Sequence, residues 1–462
     1  MDVLTQIQRL INIKKSFINV LANIGYVVST FQDIISSIEN HKQGDLDKSL
    51  MSALTAEDEA VRMDESVYDL YERLFAQNET LLSSIDTLAS NSFYGTNLVY
   101  FKSKPCNTAI NDAFSSCRSL MFAELDQATD CTTLNSTFRR CSNLVAVELP
   151  PSLDKCKDLR YAFSLCASLR KVNLPKQLPA CTTMAYIFEN CRNLDIDIEF
   201  TYLPKVANLQ NSFISCSSLS SVTLPTEMPA LISMYKAFDG CSSLSSVTLP
   251  SEMPALTTMY KAFYGCSSLS TPLDIDCTNV LVINKCSIFS DCKKIPSLTL
   301  HSTVNIHNFS YFIYNCTSLT SVTGLDLSNA FLSVDEVKQV AAANKVTISD
   351  ADAETAYRQT SWLGCTQINK KLTNMPLQGT LYRSGFSIAS CPLTAESLYT
   401  WFVALYDWTN NPEAKTTDST THTLTVNATS LANMQEYVPD DGVSGEEIYL
   451  QALEKGWVIQ TT

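Results

Sequence analysis

A seven-residue block, F-x-x-C-x-x-L, recurs nine times between residues 114 and 319, with successive blocks 24–26 residues apart. Phe stands three residues before each cysteine except at Ile313, and Leu stands three residues after it except at Ile295. The register is carried by Cys117, Cys141, Cys166, Cys191, Cys216, Cys241, Cys266, Cys292 and Cys316. A period of about 20–29 residues is typical of a solenoid, in which stacked coils bury one continuous apolar face.

Each block is followed by a short alternating stretch, such as Val222-Thr223-Leu224, and in several coils by a proline such as Pro225. Alternation of apolar and polar residues predicts a half-buried strand, and proline ends a strand because it cannot donate to the next one. One coil is therefore predicted to be a strand followed by a short helical return. Stacked coils would place equivalent strands about 4.8 Å apart in a parallel sheet.

The chain has 17 cysteines, an odd number that does not suit a complete disulfide framework. A second column lies ten residues before the first, at Cys131, Cys156 and Cys181, and continues as Val206, Leu231 and Leu256. Exchange with Val and Leu indicates buried free thiols, because a free thiol behaves as a small apolar group. No close pair of the C-x-x-C kind needed for zinc occurs, so we expect neither a metal nor a cofactor.

The segment FDGCSSLSSVTLPSEMPALTTMYKAF, residues 238–263, resembles the BspA-like leucine-rich repeats of gut bacteria, some protists and phages of gut bacteria. The resemblance implies an α/β repeat solenoid of about nine coils over residues 106–325. It also implies a binding or structural role rather than an enzyme.

Residues 1–40 have the apolar spacing of two amphipathic helices and resemble the helical opening of phage tail and appendage proteins, which implies docking to other virion proteins. Residues 41–105 are predicted to form a helical or coiled-coil linker and N-terminal cap. A heptad pattern there favours a homo-oligomer, dimer or trimer, although a single capping helix also fits: Val67, Tyr71, Leu74, Asn78, Leu81, Ile85 and Leu88.

Residues 326–462 are predicted to form a degenerate α/β cap. Ser333 and Glu336 form a capping box that opens one helix, Thr394 caps another, and residues 422–426 alternate like a strand. Parts of the stretch from Ser390 to Gln460 resemble the C-terminal cap of repeat proteins encoded by gut phages. Residues 346–390 are predicted to be an insertion.

The net charge is −14, and no basic stripe is present. Nucleic acid and anionic membranes are therefore not expected as partners, since both are bound through Lys and Arg. Arg9, Lys14 and Lys15 interrupt the first apolar stretch, which argues against a signal peptide and membrane insertion. A protein made in the host cytoplasm and carried on a virion is expected.

Catalytic patterns are weak. The four histidines, His41, His301, His307 and His422, adjoin no nucleophile and are predicted to lie in surface loops. Asp274 and Asp276 could form a carboxylate pair for glycoside cleavage, but a single D-x-D is little evidence. The sequence contains no G-x-S-x-G motif and no phosphate-binding glycine loop.

The candidate binding surface consists of two groups. Alternation predicts that Ser221, Thr223, Ser246 and Thr248 face outward from the sheet, while the return turns carry Tyr235, Lys236, Tyr260, Lys261 and Tyr264. Tyr and Ser together provide rigid contact area and adaptable hydrogen bonds, as in antibody loops. The alternative is an ordinary solvated surface.

Three functions follow in order of preference. The first is a head or tail fibre of a tailed, crAss-like phage, presenting the repeats to a host cell-surface glycan or protein, or to other subunits. The second is a BspA-like adhesin on a bacterial cell surface. The third is a polysaccharide-degrading appendage.

Overall fold

The computed structural model describes residues 81–101, 109–283, 286–359, 371–411, 421–440 and 442–462, all within one compact unit, residues 78–462. The N-terminal helices predicted for residues 1–40, and most of the heptad pattern, lie outside the described residues. So does one of the four histidines, His41.

The described residues form fifteen short strands and five helices. The strands are β1 (Tyr100–Phe101), β2 (Phe122–Glu124), β3 (Ala146–Glu148), β4 (Lys171–Val172), β5 (Asp197–Glu199), β6 (Ser221–Thr223), β7 (Ser246–Thr248), β8 (Leu273–Ile275), β9 (Ser297–Leu300), β10 (Ser321–Thr323), β11 (Leu325–Asp326), β12 (Leu377–Gln378), β13 (Phe386–Ser387), β14 (His422–Val426) and β15 (Trp457–Thr461). The helices are α1 (Val334–Ala343), α2 (Asp350–Gln359), α3 (Ala395–Val403), α4 (Ala428–Gln435) and α5 (Gly445–Glu454).

All strand pairs are parallel and join successive coils: β1-β2-β3-β4, β5-β6-β7 and β8-β9-β10. Register is conserved from coil to coil, so that Ser221 pairs with Ser246 and Thr223 with Thr248. In each strand of β1 to β7 one side chain points into the core and its neighbours point outward. The α/β repeat solenoid expected from the sequence is confirmed.

The recurrent phenylalanines form one stacked column in the core. Neighbouring rings from Phe114 to Phe289 are near parallel, with centroids 5.0–5.9 Å apart. Aromatic pairs at this separation stabilise beyond the area they bury, by about 0.5–1.5 kcal/mol each. The period in the sequence therefore exists because each ring packs on its equivalent in the next coil.

The recurrent cysteines add a hydrogen bond between coils. The Sγ of Cys241 donates to the backbone oxygen of Phe213 at 2.9 Å, and that oxygen also accepts the amide of Cys216 at 3.1 Å. The Sγ contact recurs at all nine block cysteines, at 2.8–3.2 Å. Cysteine therefore supplies a small apolar group that also donates to an otherwise half-satisfied carbonyl.

All fifteen described cysteines are buried and free, as predicted. Burial raises the pKa of Cys117 and Cys156 to about 11, and that of Cys181 to about 12. Because the thiolate is the reactive form, these groups are poor nucleophiles at neutral pH.

Serine hydroxyls join the coils on the outside. The Oγ of Ser242 donates to the carbonyl of Ser217, and the Oγ of Ser267 donates to that of Ser242. A parallel line runs from Ser270 to Ser245. Each of these bonds satisfies a backbone acceptor between neighbouring coils.

Two residues in every coil have left-handed backbone conformations, one directly before the cysteine and one five residues before it. Glycine occupies the first position at Gly240 and Gly265, but Lys236 and Lys261 occupy the second with φ of 51° and 53°. This conformation costs a residue with a side chain about 1–2 kcal/mol. The two turns bracket the buried phenylalanine and leave the residues beside them partly exposed.

Coil stacking extends beyond both limits predicted for the solenoid, residues 106 and 325. Phe93 stacks on Phe114 at 5.5 Å, and β1 pairs with β2, which adds a coil at the N-terminal side. Thr96 takes the cysteine position there, and its Oγ1 donates to the Phe93 carbonyl at 2.9 Å.

On the C-terminal side, β11 pairs with β12 across the segment that carries α1 and α2. The sheet β13-β14-β15 is also parallel, and one apolar cluster runs from Leu88 to Trp457. Part of the predicted insertion, residues 346–390, thus contributes β12 and β13 to the stack, while α2 packs on α1 around Phe331 and Val337.

Both predicted helix caps are confirmed. Ser333 Oγ accepts the amide of Glu336 at 3.1 Å, while the Glu336 carboxylate accepts the amide of Leu332 at 2.7 Å. Thr394 Oγ1 accepts the amide of Ser397 at 3.2 Å and begins α3. These bonds satisfy amides that have no partner within the helix.

The prediction of surface loops is wrong for His422, which begins β14 and stacks on Trp408, and holds only in part for His307, which lies in a loop but is half-buried. The His307 ring stacks on Phe331 with centroids 5.1 Å apart, and its Nδ1 lies 2.8 Å from the carbonyl of Asn329. Burial lowers the pKa of His307, against the opposing effects of the Asn329 hydrogen bond and the Glu336 carboxylate.

This pKa predicts a pH dependence of stability. Below about pH 6.5, the ordinary histidine pKa, the unfolded chain takes up a proton that folded His307 does not, so the free energy of unfolding falls as the pH drops. We expect His307→Gln to reduce this fall, measured by chemical denaturation between pH 7.5 and 5. His422 contributes in the same direction, because burial also lowers its pKa.

His301→Gln is the matched control, because His301 is exposed and pairs with exposed Asp274. If the free energy of unfolding of His307→Gln depends on pH in the same way as that of wild type, the pH dependence does not come from His307.

Candidate functional site

Five of the predicted site residues are brought together on the return turns of two adjacent coils. The rings of Tyr235 and Tyr260 have centroids 5.3 Å apart. Lys236 Nζ lies 5.7 Å from the ring centre of Tyr235, and Lys261 Nζ lies 5.9 Å from that of Tyr260 and 4.0 Å from that of Tyr264. The near-identity of the two coils, 21 of 25 positions from Cys216 and Cys241, produces this duplication.

One acid lies within the cluster. Burial raises the pKa of Asp239, whereas the neighbouring Lys261 and Lys236 lower it. The pKa of Tyr264 is also raised, first by burial and then by Asp291. The cluster is thus partly desolvated, which strengthens its cation–ring contacts.

The structure places two further pairs of tyrosines, which the sequence reasoning missed, in coils on either side of the cluster. Tyr161 stacks on Tyr186 at 4.6 Å, Arg139 lies 5.0 Å from the Tyr161 ring centre, and Gln210 Nε2 donates to the Tyr186 hydroxyl at 2.8 Å. At the other end Tyr311 and Tyr314 are 5.6 Å apart. We call the whole set the tyrosine row: Tyr161, Tyr186, Tyr235, Tyr260, Tyr264, Tyr311 and Tyr314.

All seven tyrosines are half-buried. They occupy three positions of the repeat, six, five and two residues before the block cysteine. Tabulating those positions coil by coil would have found the row, because neighbours in a solenoid column are one period apart.

The second predicted group lies elsewhere. Ser221, Thr223, Ser246 and Thr248 are on the outer face of β6 and β7 in matched register. Ser221 donates to the Asp197 carboxylate in the preceding coil. Within the described ranges, no hydrogen bond or ring contact joins this hydroxyl group to the tyrosine row.

The two carboxylates of the candidate pair, Asp274 and Asp276, each contact a different neighbouring residue. The Oδ1 of Asp274 lies 2.6 Å from Nε2 of exposed His301, and Asp276 Oδ1 accepts the amide of Thr278 at 2.9 Å. Among the residues that the structure describes, no group of three or more His, Cys, Asp or Glu could hold a metal ion. No helix in the same residues is long and apolar enough to cross a membrane.

The stacked parallel strands and the repeating core define a leucine-rich-repeat solenoid. The model of the BspA type leucine rich repeat region, in six copies, matches residues 66–195, 132–233 and 209–333. These ranges cover more than half of the chain, and the chain belongs to this family. No curated protein sequence matches it.

Solved structures with similarity include a leucine-rich repeat protein from Bacteroides ovatus, 17% identical, with a TM-score of 0.31 over 61% of this chain and 82% of that one. A leucine rich cell surface protein from Faecalibacterium prausnitzii is 18% identical, with a TM-score of 0.25 over 52% and 82%. The pneumococcal vaccine antigen PcpA is 16% identical, with a TM-score of 0.23 over 57% and 75%. These superpositions are too partial to bear on function.

Proposed function

We propose that this protein is a binding protein and that the tyrosine row is its contact surface. The observation that carries the proposal is a set of three half-buried tyrosine pairs, Tyr161–Tyr186, Tyr235–Tyr260 and Tyr311–Tyr314. The cations of Arg139, Lys236 and Lys261 lie against rings of the first two pairs and of Tyr264. Tyrosine supplies large contact area, has only two side-chain torsions to fix, and carries a hydroxyl for hydrogen bonding.

Packing within the row supports this role. A ring that is already stacked on its neighbour loses little conformational entropy when a ligand binds, so more of the contact energy appears as affinity. Tyr and Arg are also the residues most enriched among those that dominate binding energy.

We propose that this binding protein is part of an appendage, a head or tail fibre, of a tailed phage of gut bacteria. In this proposal it is homo-oligomeric and docks to other virion proteins through residues 1–40. Its support is the resemblance of both chain ends to phage proteins. A bacterial surface adhesin is the second proposal, supported by membership of the BspA-type family. Antibody labelling distinguishes them: signal on purified virions supports the first, and signal on uninfected bacteria supports the second.

The third possibility, a polysaccharide-degrading appendage, would need a pair of acids acting on one bond. Asp274 is instead paired with His301, and Asp276 caps a turn. Purified protein incubated with host polysaccharide is expected to leave its length distribution unchanged.

The double variant Tyr235→Ala/Tyr260→Ala is expected to weaken attachment to host cells by about tenfold or more, since single residues of this kind contribute about 1–2 kcal/mol each at interfaces. The measurement is a binding isotherm of fluorescently labelled protein on cells. Tyr202→Ala is the matched control, because Tyr202 is 50% exposed but lies outside the row.

If the double variant attaches as well as wild type and its melting temperature is unaltered, the tyrosine row is not the contact surface. Equal losses in the double variant and Tyr202→Ala would point to a non-specific effect of removing surface tyrosines.

A further inference from the structure

The tyrosine row repeats with the coils. Side-chain contacts link Arg139, Tyr161, Tyr186 and Gln210 in four successive coils. A second set joins Tyr235, Tyr260, Lys261 and Tyr264 in the next two coils, and Tyr311 contacts Tyr314 two coils further on. The seven coils from Tyr161 to Tyr314, with about 4.8 Å between neighbours, give the row a length of about 29 Å.

The stacking determines which part of each tyrosine a ligand meets. The rings of Tyr161 and Tyr186 are inclined by only 18° and cover each other's faces. Their edges and hydroxyls are the parts left for a ligand. This part of the row therefore offers phenol hydroxyls and the amide of Gln210, and the next two coils add the ammonium groups of Lys236 and Lys261.

The local charge is also distinctive. The chain as a whole has a net charge of −14. Around the row, Asp239 interacts with Lys236 and Lys261, and both Asp239 and Asp291 interact with Tyr264. Beside Tyr161, Glu189 accompanies Arg139 and Arg160, so charges of both signs are present along the row. A balanced, hydroxyl-rich strip favours an uncharged, strongly hydrogen-bonding ligand over a polyanion or polycation.

We propose that the ligand of the tyrosine row is a linear glycan that lies along the solenoid axis and is hydrogen-bonded to successive coils along its length. The inference rests on the proposed function of the row. A ligand that repeats along its length can make similar contacts at successive coils, and each further contact is intramolecular once the first has formed. A folded protein surface presents one compact, non-repeating epitope.

The test uses surface polysaccharide from the cells that the protein binds, partially hydrolysed and fractionated into linear oligomers of three to eight sugars. Affinity for the full-length chain, measured by calorimetry, is expected to rise by about fivefold for each pair of added sugars, as expected for about one additional net hydrogen bond per pair. Affinity that stops rising at three or four sugars would overturn the axial placement.

The variant Tyr161→Phe/Tyr186→Phe/Tyr235→Phe/Tyr260→Phe keeps the stacked rings and removes only hydroxyls. It is expected to bind the eight-sugar oligomer about tenfold or more weakly than wild type, while its melting temperature changes little. Unchanged affinity would overturn the hydroxyl contacts. Removing the hydroxyl of Tyr202 in Tyr202→Phe is the control.

Two treatments of the cells separate this inference from the function on which it rests. Periodate, which cleaves vicinal diols of sugars, is expected to abolish attachment, whereas protease treatment is expected to leave it intact. The reverse pattern, with attachment still lost in Tyr235→Ala/Tyr260→Ala, would keep the binding function and replace the glycan by a protein. Attachment that survives Tyr235→Ala/Tyr260→Ala would overturn both.

Discussion

Replacing Phe213 by alanine is expected to lower the free energy of unfolding by about 3–5 kcal/mol, the range for removing a buried aromatic ring. Phe213 is fully buried and stacks between Phe188 at 5.8 Å and Phe238 at 5.3 Å. The substitution therefore opens a cavity in the column and removes two ring contacts. Chemical denaturation followed by circular dichroism measures the loss.

Two controls define the effect. Phe213→Leu retains much of the volume and is expected to lose less than Phe213→Ala, because the cavity is smaller. Ile232→Ala, at a side chain that is 49% exposed, is expected to change stability by less than about 0.5 kcal/mol. A loss below about 1 kcal/mol for Phe213→Ala would contradict the continuous phenylalanine column.

Under native conditions, at most two of the 17 thiols are expected to react rapidly with a maleimide. Those two are Cys106 and Cys365, which lie outside the described residues, whereas all fifteen described cysteines are buried. Burial keeps the maleimide away from these thiols and raises their pKa, to about 11 for Cys156. They can therefore be labelled only when the coils open. With about 5 kcal/mol or more of stability, labelling should be slower by about 1000-fold or more than in denaturant.

The variant Cys106→Ser/Cys365→Ser keeps only the fifteen described cysteines, so any rapid labelling of the folded protein must come from them. Mass spectrometry should find it unlabelled when folded and labelled at fifteen positions in denaturant. Rapid native labelling of Cys216 or its neighbours, or cystines in protein purified without reductant, would contradict the buried thiol column.

The fixed period was sufficient to predict the repeating core. A phenylalanine, a cysteine and a leucine at constant spacing over nine coils can be buried together only if the coils stack in register. The caps at Ser333 and Thr394 were also predictable, because they depend on residues three apart in the chain. The additional coil at Phe93 was missed because Thr96 replaces the cysteine and donates to the Phe93 carbonyl of its own coil, whereas each block cysteine donates to the preceding coil.

The candidate site was only partly predictable. Tyr235 and Tyr260 stand out because the two coils are near copies, but Tyr161 and Tyr186 occupy a different position of the repeat. Whether such side chains meet depends on the left-handed turns, and because Tyr161, Tyr186, Lys236 and Lys261 occupy turn positions without glycine, the sequence gives no clear signal of these turns. His307 could not be placed either, because its partner Phe331 is supplied by the segment that begins where the period ends.

The sequence by itself determined the solenoid, its period and the inward-facing residues, because burial of a repeating apolar face leaves one register for the stack. Only the tertiary structure decided which outward-facing residues become neighbours and that β12 joins β11 across the helices α1 and α2. The physical reason is that the core contacts join identical positions of every coil, whereas the surface contacts depend on which side chain each coil carries beside its backbone turns.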